Sequence, residues 1–293
     1  MEVVNHLFDY LLSNHSWYAL FKLHWIVFVF FLSYFYIKHI VRSPLYPVTK
    51  NQQYYFFTGM ALVFLLKATP FDVIGTHYLF GAHVFQLSVI FFIVVPLIIL
   101  SLPVNFLRKY IWHHRTKFAL NILAHPWLTL ITFNGFITIY LIPAVFNFIH
   151  SNVILSILAQ AFLLFNAIFM WWVIIHPVPE IKGFNYLLRA LYIFLASLAL
   201  FPIGFYYVII QNEHFPTYID VAGAIIPALT PIYDQQLAGG ILKVIQLATY
   251  SFALLFILFK WGKIEQEKEG QVDEEHIRYV RGVVIHLDKN KKR

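Results

Sequence analysis

The sequence contains no cysteine. That absence excludes disulfides, zinc–thiolate knots and thiolate copper sites, so any metal must be held by His, Met, Asp, Glu or Gln. Methionine is scarce too, with three including Met1. Charge is the third shortage. Asp, Glu, Lys and Arg make up 12% of the chain, about half the share in a typical soluble domain. What fills the space is apolar: 60% of the 293 residues are hydrophobic and 19% are aromatic. A soluble globule of this length cannot hide that much apolar surface. A soluble enzyme, a disordered protein and a secreted disulfide scaffold are thereby excluded, which leaves a polytopic protein of the lipid bilayer. There is also no G-x-S-x-G, no HExxH and no phosphate-cradling glycine loop, so nothing points to an enzyme.

A spanning helix needs about 20 mainly apolar residues. Seven segments qualify: Trp17–Lys38, Gln52–Ala68, Tyr78–Leu100, Pro126–Phe148, Val153–Ile175, Leu187–Ile210 and Leu237–Lys260. The run from Trp17 is too long for a signal-peptide core and is expected to remain as a span. The fold expected is an all-α bundle of seven transmembrane helices over residues 1–260, with a short tail over 261–293.

Lys and Arg set the orientation. One side receives Lys38, Arg42, Lys50, Arg108, Lys109, Arg115, Lys117, Lys182, Arg189 and Lys260. The stretches on the other side (1–16, 69–77, 149–152 and 211–236) hold no Lys or Arg, but do hold Glu2, Asp9, Asp72, Glu213, Asp220 and Asp234. This places the N-terminus outside and the C-terminus in the cytoplasm, as an odd number of spans requires. The net charge of +7 is then a cytoplasmic collar and not a nucleic-acid patch. The tail reads as a small solvated extension.

Polar side chains inside spans are costly and each calls for a cause. The expected outer half collects His24, Asp72, His77, His83, Gln86, His150, Asp234, Gln235 and Gln236. His83 and Gln86 are three apart, hence on one face of the third span, and His77 lies about two turns above His83. The cluster reads either as a metal or proton site open to the outside, or as interfacial polar residues satisfied by helix–helix hydrogen bonds. Asp234 reads either as a ligand or as a helix cap. Lys243 must find a partner, with Asp72 or Asp234 as candidates. His150 and His214 read as solvated, and Trp171 with Trp172 as an aromatic belt. Gly81, Ala82, Ala238, Gly239 and Gly240 offer smooth surfaces for close packing.

The chain resembles the seven-span CtaG family of bacterial cytochrome c oxidase assembly factors. The likeness rests on Pro70-Phe71-Asp72, His77-Tyr78-Leu79-Phe80, Ala82-His83 with Gln86, Trp171-Trp172, and Pro231 through Gly239 with its Asp-Gln-Gln-Leu core. It implies a non-catalytic protein of the bacterial plasma membrane that works with cytochrome c oxidase subunits and holds or supplies copper for the haem–copper centre. The implied ligands are His77, His83, Asp72 and Asp234, supported by Gln86, Gln235, Gln236, His24 and Lys243. Val84, Leu87, Leu141, Gln160 and Leu242 stand where the family often has Met or His, which thins the copper-binding set. Two alternatives accompany this reading: a metal-free scaffold for oxidase assembly, and a haem-bearing redox protein with His24 and His83 as axial ligands. A retinal protein built on Lys243 lacks a counter-ion carboxylate in spans three to six, and no inverted repeat marks a transporter.

Overall fold

A computed structural model describes residues 10–181, 183–219, 221–226 and 228–291, without the side chains of 222, 224 and 268–291. Glu2, Asp9, Lys182 and Asp220 of the charge map lie outside the described residues, and the side chains of the tail charges beyond Glu267 are not described. Among the described residues every regular element is helical. Five helices are long and apolar enough to cross a membrane, and there are seven candidates if each of two bent pairs counts as one span. The candidates are α1 (Leu23–Val41), α2 (Lys50–Lys67), α3 (Phe80–Ser101), α4 (Pro126–Leu141), α5 (Val153–Ile175), α6 (Tyr186–Ile209) and α7 (Pro231–Lys291). α2 is followed by Pro70–Tyr78 at a 55° bend, and His114–Leu123 precedes α4 at 60°.

The boundaries have local causes. Thr49 and Gln52 form a reciprocal capping box at the start of α2. The Asn152 side chain accepts from Ile154 and Leu155 amides to start α5, and Asn185 accepts from Leu188 to start α6. Prolines cut the helices that hydropathy alone joins. Pro143 ends α4 at Leu141 and begins a separate turn, Pro143–His150. Pro202 breaks α6 at Leu200. The expected first span shortens because the chain turns at Phe21 and Lys22 after a short helix, Trp17–Leu20. The expected joint over 101–125 is instead two surface helices, Val104–Ile111 and His114–Leu123. Helix α7 starts at Pro231 and runs on through the tail.

α3 is the central helix: 67% of its most apolar window is buried, against 22% for α5. Phe80, Phe91, Phe92, Phe133, Ile137 and Trp171 fill the core around it. Trp171 is 2% exposed, so it is a core residue and not part of a belt. A wide turn over Ile90–Val94 loosens the α3 ladder, and the Trp171 indole donates to the Phe91 carbonyl at 2.8 Å. Outward, Phe30, Phe31, Ile154, Ile157, Phe252 and Phe259 stand exposed. Such a girdle suits lipid and would be an aggregation surface in water.

α6 and α7 cross closely. A Cβ on Gly239 would lie 2.6 Å from Tyr207 Cβ and 2.7 Å from the Gly204 carbonyl, whereas one on Gly240 meets nothing within 4 Å. Gly239→Ala is therefore expected to cost about 1–3 kcal/mol by overpacking. Gly240→Ala is expected to be neutral or slightly stabilising. Thermal unfolding of the two detergent-solubilised variants separates them, and equal midpoints would refute the crossing.

Candidate functional site

The polar residues gather at the end of the bundle that holds the α2–α3 turn. After Pro70–Val73 the helix widens over Ile74–Tyr78 and then breaks at Leu79, which is extended. The break leaves the first amides of α3 without carbonyl partners. Asp234, in the first turn of α7, accepts both: Phe80 N–H at 2.6 Å and Gly81 N–H at 3.0 Å. It is a cap, as one sequence reading held, but it caps a different helix. Gly81 makes the approach possible, since a Cβ there would lie 2.7 Å from Asp234 Oδ1. The two glutamines beside it also join segments. Gln235 accepts from the His214 amide at 3.3 Å and donates to the Pro231 carbonyl at 3.1 Å. Gln236 donates to the Ile210 carbonyl at 2.8 Å.

Asp72 is buried and engages two lysines, Lys67 at 2.9 Å and Lys22 more closely. Lys67 also donates to Gln86 Oε1 at 3.2 Å, and Gln86 donates to the Leu66 and Phe71 carbonyls. Gln86 thus braces the α2–α3 turn. Lys243 meets neither Asp72 nor Asp234. Its ammonium donates to Gln246 Oε1 at 2.6 Å and the Ser197 carbonyl at 3.3 Å, and lies 5.7 Å from the Phe201 ring centroid.

The histidines separate. His24 is exposed and touches only its neighbour Trp25 among the ring contacts. His77 is exposed and stacks on His15 at 5.8 Å, while His15 Nε2 bonds the Tyr78 hydroxyl at 2.9 Å. His83 is 3% exposed and faces α4, so His24 and His83 do not oppose each other as axial ligands would. His77, His83, Asp72 and Asp234 thus point to different partners and form no joint ligand set. Among the described residues no group of three His, Asp or Glu is placed to hold a metal.

What the structure does bring together is His83 and His150. His83 Nε2 lies 2.9 Å from the Tyr140 hydroxyl, and His150 Nε2 lies 3.4 Å from the same oxygen. The two rings are 5.0 Å apart and nearly perpendicular. Phe146 stacks on His150 at 3.8 Å and meets His83 edge-on at 5.2 Å. The proline break is the cause: at Ile142 the chain turns extended, and the Pro143–His150 turn folds His150 back over Tyr140. His150 Nδ1 donates to the Phe146 carbonyl at 2.9 Å, which leaves its Nε2 as an acceptor. Tyr140 has one hydroxyl proton for the two imidazole nitrogens that face it.

A family model described as cytochrome c oxidase caa3 assembly factor (Caa3_CtaG) matches residues 32–263, most of the chain. The chain belongs to the Caa3_CtaG family. No curated protein and no solved structure matches it. Membership makes it an assembly factor for cytochrome c oxidase with a multi-pass helical body, and it points to a non-catalytic role. Sequence reasoning missed three residues of this assembly factor's polar end, Lys22, Lys67 and Tyr140, and took a fourth, His150, as solvated. Signals existed for Lys67, Tyr140 and His150. Lys67 within an apolar run demands a carboxylate, and Asp72 follows five residues later. Pro143 between Tyr140 and His150 marks the chain reversal that makes them neighbours.

Proposed function

We propose that this protein sits in the bacterial plasma membrane, N-terminus outside, and holds Cu(I) between His83 and His150 on its way to the haem–copper centre of cytochrome c oxidase. The observation that supports it is a pair of imidazoles, His83 buried and His150 half-buried, that face one phenolic hydroxyl. Cu(I) is satisfied by few soft or imidazole donors. Asp72 and Asp234 are occupied by lysines and by helix amides, so they stabilise the frame and not the metal. Lys and Arg concentrate at the opposite end of the bundle, which supports the orientation.

Full-length protein in detergent, titrated with Cu(I) against a chromogenic chelator, is expected to bind one equivalent. His83→Ala and His150→Ala should each weaken binding by at least about tenfold, and His77→Ala should leave it unchanged. Equal affinity in all three variants would remove the site. If His83→Ala/His150→Ala restores full oxidase activity to cells lacking the protein, the metal-free scaffold reading replaces this one.

A further inference from the structure

A second concentration of polar groups lies at the other end of the bundle, far from the histidine pair. There the surface helix His114–Leu123, the start of α4, the end of α5 and the loop after it enclose a cavity of about 650 Å³. That volume is in the range of small-ligand sites. Its polar lining includes Lys117, His125, His176 and Glu180; Trp172 and Phe184 form an apolar wall.

The charges around it do not balance. Glu180 is the one carboxylate of the lining, and it forms an ion pair with Arg108. Lys117 therefore faces the cavity without a carboxylate partner among the described residues. Beside His176 lies Arg189, on the first turn of α6. It is 8% exposed, its guanidinium stacks on Tyr186 at 4.3 Å, and its Nε has no hydrogen-bond partner. A buried guanidinium with no carboxylate against it among the described residues is costly unless an anion offsets it. This charge acts on His176, which lines the cavity. Its backbone is left-handed, with φ 49°, and its ring lies where a side chain at residue 183 would sit, so Gly183 is required there. Burial, and then Arg189 and Lys260, lower the His176 pKa, which keeps the imidazole neutral and able to donate through one N–H.

We propose that this cavity binds a phosphate-bearing anion, the headgroup of an anionic phospholipid, with Lys117, His125 and His176 as contacts and Arg189 as the charge beneath them. Phosphate ester chemistry fits a site with several N–H donors and excess positive charge. The apolar wall and the location at the ends of candidate spans favour a lipid source over a free ion. Basic pockets between helices on the cytoplasmic side are a known physical solution for such headgroups.

The test uses full-length protein in a neutral detergent and follows its unfolding temperature with added phosphatidylglycerol, phosphatidylcholine or inorganic phosphate. Phosphatidylglycerol is expected to raise the midpoint where the other two do not. Lys117→Gln, on the cavity rim, should weaken the phosphatidylglycerol effect about fivefold, and Arg189→Gln at least as much. If Arg189→Gln fails to fold, Lys117→Gln and His125→Gln carry the test. Equal protection by phosphatidylcholine, or undiminished phosphatidylglycerol binding in the rim variants, would overturn the proposal. Protection by inorganic phosphate alone would overturn the lipid assignment in favour of a free anion. None of these outcomes bears on the Cu(I) titration.

Discussion

Lys67→Met is expected to lower stability by about 3–5 kcal/mol, the cost of leaving one partner of a buried pair uncompensated. Lys67 and Asp72 are both buried, and their 2.9 Å contact lies between α2 and the turn into α3. Removing the ammonium leaves Asp72 with Lys22 alone, which is partly exposed at 27%, and strips Gln86 Oε1 of its donor. Two effects then add: a carboxylate short of countercharge and a glutamine short of a hydrogen bond. Lys67→Met combined with Asp72→Asn should cost less than the two single changes summed, because neither charge is then stranded. Chemical denaturation of detergent-solubilised variants gives the cycle. Strict additivity would show that the pair is not coupled.

Asp234→Ala should cost about 2–6 kcal/mol, from two buried amides that lose their acceptor at roughly 1–3 kcal/mol each. In lipid neither amide finds water as a substitute. Gly81→Ala alone should cost a comparable amount, since its methyl group would press on Asp234 Oδ1 from 2.7 Å and push the carboxylate off the cap. The informative variant is the double one. Once residue 234 is alanine, the methyl at 81 meets only the residue-234 carbonyl at 3.3 Å, so the cost of Gly81→Ala should fall clearly below its value in the native background. A full penalty for Gly81→Ala in the Asp234→Ala background would mean that glycine is needed there for another reason. Because α3 carries His83, the single variants should also weaken Cu(I) binding at the proposed site, and measuring it in the same preparations tests that link.

The likeness to the family rested on residues that turn out to join helices. Asp234, Gln235 and Gln236 tie the start of α7 to α3, to the loop before it and to the end of α6. Gln86 ties α3 to the end of α2. These groups were legible as a cluster because polar side chains in an apolar chain are conspicuous. Their roles were not, because a carboxylate that caps a helix 154 residues away has the same local sequence as one that binds a metal. His150 was misread for the opposite reason: a histidine in a short turn normally meets water, and only the reversal at Pro143 puts this one against Tyr140. Helix breaks at Leu141 and Leu200 were likewise hidden, since hydropathy averages across a proline that backbone hydrogen bonding does not cross.

Composition and run length were enough to establish an all-helical membrane bundle, because the bilayer acts on each segment through local hydrophobicity. Which imidazoles meet and which acids are already neutralised depended on contacts between helices distant in the chain. Those contacts are fixed by packing geometry: the helix-to-helix fit at Gly81 and Gly239, and the turns at Pro143 and Leu79, decide direction over a few ångströms, and no single segment encodes that.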